Sequence, residues 1–414
     1  MKTNDGNPVT GDDFYNRVDE IRRLIELLLQ GQHLNLVAPR RCGKTSLMRE
    51  IMRRLQSQGW AILEADFSSC ATTQQFFECL SGKIEDQLSQ SKDWSAKWKE
   101  KLATFGKSIK EVKLMNIGVA MQSGTRTSFT DLDRNLRELL KGLAASAENG
   151  RLLLGTDEIP IFLARLQLSA GEDPARQLAV KQEISALLYW LRDLRQDSSL
   201  PVIWFHCGSI GLENLVANMG LTHALSGLSH QPIHAFSREH ARGLLQALAK
   251  SCVLPLPEAA ETRMLERLAW YLPYFVQLHL IKLNEPKDYA RRKQADYPTV
   301  ADVDDAYEQM IDEGKIHFNH WDSRLDEQLT KARANQARDI LGWVAQKGAG
   351  LKRDAIVTKM VSAQTTGSDA RDSERAAKDL LSLLQNDGYL MRDEKDAYHF
   401  RSPLLRDFWK REFC

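Results

Sequence analysis

Short apolar runs separated by longer amphipathic stretches dominate the first 235 residues. The amphipathic stretches repeat apolar residues every three or four positions, which is the spacing of one helix face. The apolar runs are too short for helices and have the composition of buried strands. They lie at residues 34–37, Trp60–Asp66, Arg151–Thr156 and Pro201–His206. Strands that alternate with helices in this way predict a doubly wound α/β domain with a parallel sheet.

The helices between these strands are bounded by glycine and polar residues. They are predicted at Val18–Gln30, Thr45–Leu55, Thr73–Ser89, Leu132–Ala147 and Leu178–Arg195. One region interrupts the alternation. Apolar and polar residues alternate in Ile109–Leu114 and again in Ile117–Gln122, which predicts a β-hairpin insertion near residues 105–125.

The pattern becomes helical after residue 235. Ser237 is placed to cap one helix, and further helices are predicted at Pro257–Trp270, Pro273–Leu283 and Val300–Glu313. The last 80 residues differ again, with three helical segments, a short hairpin around the acidic turn Asp393–Asp396 and a terminal helix from Pro403. We therefore predict three domains: an α/β core at residues 1–235, a helical lid domain at 236–333 and a winged-helix domain at 334–414.

Composition narrows the class of protein. Hydrophobic residues make up 43% of the 414 positions and the formal net charge is +1, which argues against binding nucleic acid over the whole surface. The polar segment Met1–Asp13 has no apolar signal core, and no run approaches the roughly 20 apolar residues of a membrane helix. Six scattered cysteines without a Cys-x-x-Cys pair predict free thiols in a reducing cytoplasm.

The joint between the first strand and its helix carries a phosphate-binding pattern. Residues 38–45 fit Gly-x4-Gly-Lys-Ser/Thr at every fixed position except the first, where Ala38 replaces glycine. In this pattern Gly43 lets the backbone approach phosphate, Lys44 supplies a cation and the Thr45 hydroxyl ligates Mg²⁺. The remaining residues predicted to line the nucleotide are Pro39, Arg40, Arg41, Cys42 and Ser46.

Acidic residues follow the third apolar run. Asp157 and Glu158 end a strand that begins with three leucines, and the carboxyl ends of parallel strands are where open α/β sheets bind ligands. We expect Asp157 to hold Mg²⁺ and Glu158 to activate water for attack on the γ-phosphate. Ser209 follows the next strand, where a polar side chain can contact the γ-phosphate or the attacking water. The alternative for Ser209 is an ordinary turn serine.

Several motifs, in this order, resemble the archaeal and bacterial ATPases of the STAND and origin-initiator-like AAA+ group. They are Phe14–Arg17, Ala38–Leu47, Leu154–Pro160, His206–Leu212, Tyr271–Gln277 and Phe400–Arg406. The resemblance covers nearly the whole chain. It implies a P-loop NTPase core of the AAA/STAND type, a helical lid, a winged helix, and ATP or ADP with Mg²⁺ as cofactors.

The resemblance also assigns roles to single residues. Arg17 matches an arginine near the nucleotide base, although Asn16 stands where that motif has glycine. Pro273 matches the lid proline, although Tyr271 replaces the lid glycine. No arginine occupies an obvious second sensor position. Arg192 and Arg195 are either arginine fingers acting in trans or a solvated helix face.

Three functions are compatible with this sequence. The first is a slow, Mg²⁺-dependent ATPase that acts as a conformational switch or assembly factor for a protein partner or a second copy of itself. The second is an ATP-dependent DNA-binding protein that uses the winged helix, as in replication or transposition regulators. The third is an assembly scaffold in a defence or toxin-regulating operon. The helix Ser373–Asn386 mixes acidic with basic residues, which favours the switch over DNA binding.

Overall fold

The computed structural model describes residues 1–3, 6–89, 95–113, 127–208, 211–252, 255–285, 297–363 and 370–414. The chain forms two compact units. The first, called the sheet unit, consists of residues Arg17–Val37 and Lys44–Ile233. The second, called the helical unit, consists of Met1–Asn16, Ala38–Gly43 and His234–Cys414. Among the described residues, no helix combines the length and apolarity needed to cross a membrane.

The sheet unit is built on five parallel strands in the order β2-β3-β4-β1-β5. Two of the three inner strands, β3 and β4, are buried at every position, as expected for a sheet covered on both faces. The strands are β1 His33–Val37, β2 Ala61–Asp66, β3 Leu152–Asp157, β4 Val202–Cys207 and β5 Leu228–Pro232. The predicted α/β architecture with a parallel sheet is confirmed.

Strand β5 was not predicted. Within the part of the chain that the structure describes, it lies at the edge of the sheet and pairs with β1 alone. Its sequence, Leu-Ser-His-Gln-Pro, buries only Leu228 and Gln231. An edge strand that buries only two of its five positions does not need the apolar run on which strand prediction depends.

The helices of the sheet unit follow the predicted alternation. They are α1 Val18–Leu29, α2 Lys44–Gln56, α3 Thr73–Ser89, α4 Ala96–Lys113, α5 Thr127–Ala145, α6 Ile159–Leu168, α7 Pro174–Gln196 and α8 Leu212–Asn218. On α1 the buried residues Ile21, Leu24 and Leu28 have the spacing of one helix face.

The predicted β-hairpin near residues 105–125 is wrong for residues 105–113, which lie in α4. Phe105 and Ile109 are both buried there, and a spacing of four places them on one face of a helix. Helix α4 packs against α5. Helical packing therefore overrides the local alternation. The rest of the predicted hairpin, residues 114–125, lies outside the described residues.

The helical unit has one hydrophobic core that extends from residue 236 to residue 409. Its helices are α9 Arg238–Ala249, α10 Glu258–Leu268, α11 Pro273–Leu283, α12 Val300–Asp312, α13 Gly314–Gln328, α14 Lys331–Ala345, α15 Arg353–Ala363, α16 Ala370–Asn386 and α17 Pro403–Phe413. The predicted cap is confirmed: the Ser237 hydroxyl accepts a hydrogen bond from the His240 amide at 3.1 Å. The predicted boundary at 333/334 stays a prediction.

A small antiparallel sheet completes the C-terminal part of the helical unit. Its strands are β6 Leu351–Lys352, β7 Leu390–Arg392 and β8 Ala397–Phe400, in the order β6-β8-β7. Tyr389 precedes β7 and is fully buried, edge-on to Trp321 with ring centroids 5.0 Å apart. Its hydroxyl donates to the Trp321 carbonyl oxygen at 2.5 Å. Helix α13 and the turn before β7 are thereby fixed to each other.

Candidate nucleotide site

The loop between β1 and α2 has the backbone that close approach to an anion requires. Arg41 and Gly43 both adopt positive φ, 64° and 85°, and α2 begins at Lys44. A Cβ added to Gly43 would meet no atom within 4 Å, so the left-handed backbone, and not crowding, favours glycine here. The positive dipole end of α2 lies at this point, where it would favour a bound phosphate.

The two predicted metal ligands are in direct contact. The Thr45 hydroxyl, in the first turn of α2, donates to Asp157 Oδ2 at 2.7 Å. Asp157 is the last residue of β3. The two residues are 112 positions apart in the sequence. The parallel sheet therefore brings the phosphate-binding pattern and the acidic motif together.

Burial dominates the electrostatics of Asp157. Its side chain is 7% exposed, and desolvation raises the pKa of its carboxyl group, with Glu158 adding to the rise. The Thr45 hydrogen bond and Lys44 act in the opposite direction. A buried carboxylate with too little positive charge around it is an environment that a bound cation would stabilise.

Glu158 occupies a strained position between β3 and α6. Its φ is 58°, a left-handed conformation that is uncommon for a residue with a side chain. Its amide donates to the Cys207 carbonyl oxygen at 3.0 Å. Strain of this kind persists only where the surroundings impose it, and it occurs often at functional sites. Ser209 lies outside the described residues.

Besides Glu158, another acidic residue, Asp66, lies beside Asp157. No sequence motif marked Asp66 as a site residue. Asp66 ends β2 and is in register with Asp157. It is among the charges that raise the pKa of Asp157. The sequence does show an acidic residue at the end of a predicted buried strand. Only the strand order, however, makes Asp66 and Asp157 neighbours.

The loop residues at the unfixed positions of the phosphate-binding pattern pack within the helical unit. Arg40 donates to the His320 carbonyl oxygen of α13 at 3.1 Å, and the Arg41 guanidinium lies 4.1 Å from the centroid of the Tyr274 ring. Cys42 is completely buried in the helical core. Three residues that were predicted to line the nucleotide are therefore also structural contacts of the helices.

Pro39 lies close to a turn of the same unit that is far from it in the sequence. A Cβ added to Gly388, in the turn between α16 and β7, would lie 2.8 Å from Pro39 Cβ and 3.1 Å from the Trp270 ring. Gly388 also has φ 89°. The turn therefore approaches the loop as closely as a residue without a side chain allows.

A buried ion pair holds this turn. Arg324 of α13 is fully buried and its Nε lies 3.4 Å from Asp387 Oδ2. Gln328 donates to the same carboxylate oxygen at 2.8 Å. None of these residues follows from a local sequence pattern, since their neighbours are dozens of positions away.

The remaining predicted residues lie in separate places. Arg17 is 5% exposed, has φ 64° and donates to Glu20 at 2.9 Å. Pro273 is the first residue of α11. Arg195 is buried, and its guanidinium donates to the Ala224 carbonyl oxygen at 2.7 Å. The solvated-face interpretation is therefore wrong for Arg195, which is also too buried to reach a partner.

Comparison with known proteins agrees with this geometry. A family model described as an AAA-like domain matches residues 9–138, which is under half of the chain. The Walker-type ATPase PABY2304 of Pyrococcus abyssi is similar in structure, with a TM-score of 0.62 and 17% identity over 98% of this chain and 99% of that one. The chain therefore shares the fold of this solved structure.

A second solved structure gives the same result. The ORC2 protein of Aeropyrum pernix, in ADPNP–ADP complexes, has a TM-score of 0.53 and 13% identity, over 97% of this chain and 95% of that one. A comparison with curated proteins found no match. At these identities the similarity concerns the fold, and function has to be argued from the site.

Proposed function

We propose that this protein is an Mg²⁺-dependent ATPase that works as a nucleotide-controlled conformational switch or assembly factor for a protein partner or a second copy of the chain. The observation that carries the ATPase part is the 2.7 Å hydrogen bond between Thr45 and Asp157 at the carboxyl edge of the sheet. It joins the helix N-terminus that would hold phosphate to the aspartate that would hold the metal.

The donor set suits Mg²⁺. Thr45 and Asp157 present oxygen atoms, which are the ligands this cation prefers. Burial raises the pKa of the Asp157 carboxyl, and a cation bound there would stabilise its charged form. Bound there, Mg²⁺ would neutralise charge on the phosphates of ATP. The chain's own contribution is to fix these two oxygens through β3 and the first turn of α2.

The other residues take complementary roles in this proposal. Lys44, at the start of α2, pairs with the β- and γ-phosphates. Glu158 accepts the proton of the attacking water, and Ser209 contacts the γ-phosphate or that water. As the resemblance implies, Arg17 lies near the nucleotide base, and Pro273 belongs to the lid motif that binds the nucleotide.

The proposed role as a conformational switch is based on the contacts that the loop makes within the helical unit. Residues 39–42 pack on α11, α13 and the turn before β7, which belong to the proposed lid and winged-helix domains. A nucleotide that fixes the loop backbone would thus favour one arrangement of these elements. The coupling is reciprocal, so the elements would also influence nucleotide affinity.

Gly388 offers a direct test of this coupling. In Gly388→Ala the new methyl group meets Pro39 and Trp270 at 2.8 and 3.1 Å, so the turn or the loop has to shift. We expect ATP affinity or turnover to change by about fivefold or more, the lower end of typical allosteric coupling. Titration calorimetry with ATP and a steady-state ATPase assay measure this.

Gly350→Ala is the matched control. Gly350 also has positive φ, 73°, and its added Cβ would meet the His399 ring at 2.5 Å, away from the loop. Both variants should lose stability, and only Gly388→Ala should change nucleotide handling. Equal effects of the two substitutions would contradict the switch but leave the ATPase assignment intact. A wild-type chain that binds no ATP would contradict the ATPase assignment itself.

A further inference from the structure

Two of the six cysteines lie together beside the carboxyl end of β2, although they are nine positions apart. Cys70 follows the strand in a turn, and Cys79 lies on α3. Both face the hydrophobic core of the sheet unit, Cys70 within it and Cys79 packed against it. No sequence motif indicates a pair, because the spacing between Cys70 and Cys79 matches no known two-cysteine motif.

Consecutive backbone carbonyls hold the two residues in place. The Cys79 thiol donates to the Asp66 carbonyl oxygen, with sulfur and oxygen 3.4 Å apart. The Cys70 amide donates to the Phe67 carbonyl oxygen at 3.0 Å. The two thiols are close enough for each to shift the pKa of the other. The pair is therefore set by the end of the strand, and not by a flexible tail.

The two thiols differ in chemical character. Cys70 is 3% exposed and Cys79 is half-buried. Interaction with the Cys70 thiol and with the nearby Lys83 ammonium lowers the pKa of Cys79 to about 7. Interaction with the Cys79 thiol, together with burial, raises the pKa of Cys70. A partly accessible thiolate next to a protected thiol is the arrangement of an attacking and a resolving cysteine.

We propose that Cys79 and Cys70 form a site of reversible oxidation, at which a hydroperoxide converts the two thiols to a disulfide. The Cys79 thiolate attacks the peroxide, the O–O bond breaks, and Cys79 becomes a sulfenic acid while water or an alcohol leaves. The Cys70 sulfur then attacks the sulfenic sulfur and expels water. The peroxide gains two electrons, and the two thiols lose two electrons and two protons.

The disulfide would change the edge of the sheet where Asp66 lies. Its formation removes the thiol proton that Cys79 donates to the Asp66 carbonyl oxygen. It also ties the turn after β2 covalently to α3. The proposal does not depend on ATP hydrolysis, so its test uses mass and thiol chemistry.

The test is hydrogen peroxide treatment of the folded full-length chain, followed by intact mass measurement and peptide mapping. We expect a loss of about 2 Da, the mass of two hydrogens, carried by a cross-linked Cys70–Cys79 peptide and reversed by dithiothreitol. In Cys70→Ser, Cys79 should instead advance to sulfinic acid, a gain of about 32 Da. Cys79→Ser should leave Cys70 reduced.

Cys252 provides the matched control. It is also half-buried and also donates to a backbone carbonyl, that of Leu248 at 3.7 Å, but burial raises its pKa. Cys252→Ser should form the disulfide at the wild-type rate. Over-oxidised Cys79 in the wild type without a cross-link would overturn the proposal, as would oxidation of Cys252 at the rate of Cys79. Thermal melts of each variant show whether it is folded.

Discussion

Single residues at the sheet edge explain how two distant motifs form one site. The Thr45 hydroxyl and the Asp157 carboxylate make a charge-assisted hydrogen bond, which is stronger than a neutral one. Glu158, one position further, has a left-handed backbone and a different task. Asp157 is placed to hold a cation, whereas Glu158 is placed to move a proton.

The two tasks can be separated by substitution. Glu158→Gln keeps shape and polarity but cannot accept a proton from water, so turnover should fall by at least about 100-fold. Nucleotide binding should remain, with a stabilisation of about 2.7 kcal/mol at ATP near 100 times its dissociation constant. ATPase assays and thermal shifts measure the two effects.

Lys44→Ala is the contrasting variant, since it removes the cation that would pair with phosphate and should lose both turnover and the ATP-induced shift. Wild-type hydrolysis by Glu158→Gln would show that Glu158 is only structural. An unchanged ATP-induced shift in Lys44→Ala would show that the loop is not the nucleotide site.

At the scale of secondary-structure elements, a buried histidine connects helices α11 and α12 of the helical unit. His279 of α11 is fully buried, and its Nε2 lies 3.0 Å from the Val303 carbonyl oxygen of α12. Burial lowers the pKa of His279 to about 4. The imidazole is therefore neutral in the folded state at pH values where the unfolded chain is already protonated.

This depressed pKa predicts acid sensitivity of the α11–α12 packing. The unfolded chain takes up a proton near pH 6.5 and the folded chain only near pH 4, so His279 destabilises the fold progressively as pH falls between these values. The cost is of the order of 2 kcal/mol at pH 5. Urea unfolding between pH 7.5 and 5 should show less loss for His279→Gln, which keeps an N–H donor.

His223→Gln, at an exposed position, controls for the loss of one imidazole and should follow the wild type. The other buried histidines are common to all three proteins and cancel in the comparison. Parallel pH profiles for wild type and His279→Gln would contradict a neutral, buried His279.

At the scale of the whole molecule, charge distribution bears on the choice between switch and DNA binding. The chain carries a formal net charge of +1, and the two acidic residues in the described part of α16 pair with arginines outside that helix. Glu374 lies 3.4 Å from Arg353, and Asp379 lies 3.8 Å from Arg333. A helix whose charges are mixed in sign and locally paired makes a weak phosphate-binding surface.

We therefore expect weak duplex binding by the full chain, unaffected by Arg371→Ala combined with Arg375→Ala on α16. Fluorescence anisotropy over a salt series measures this. The pair Lys107→Ala and Lys110→Ala on α4 is the control, because it removes two exposed cations elsewhere. Sub-micromolar, salt-sensitive binding that loses about one unit of slope per phosphate contact in the α16 variant alone would favour the DNA-binding function.

The sequence by itself determined the elements whose signals are local. The Gly43-Lys44-Thr45 pattern, the buried strands that end at Asp157 and Cys207, and the capped helices after Ser237 could all be predicted. Each depends on periodicity or on covalent neighbours, which a chain carries before it folds. The α/β class and the phosphate-binding loop followed from these signals.

Tertiary structure alone decided the contacts between distant residues. The strand order brought Asp157 to Thr45 and Asp66 to Asp157, packing made α4 a helix, and pairing with β1 created β5. The approach of Gly388 to Pro39 and of Cys79 to Cys70 left no local trace in the sequence either. The physical reason is that non-local pairings are fixed by which surfaces bury each other, and no window of neighbouring residues contains that information.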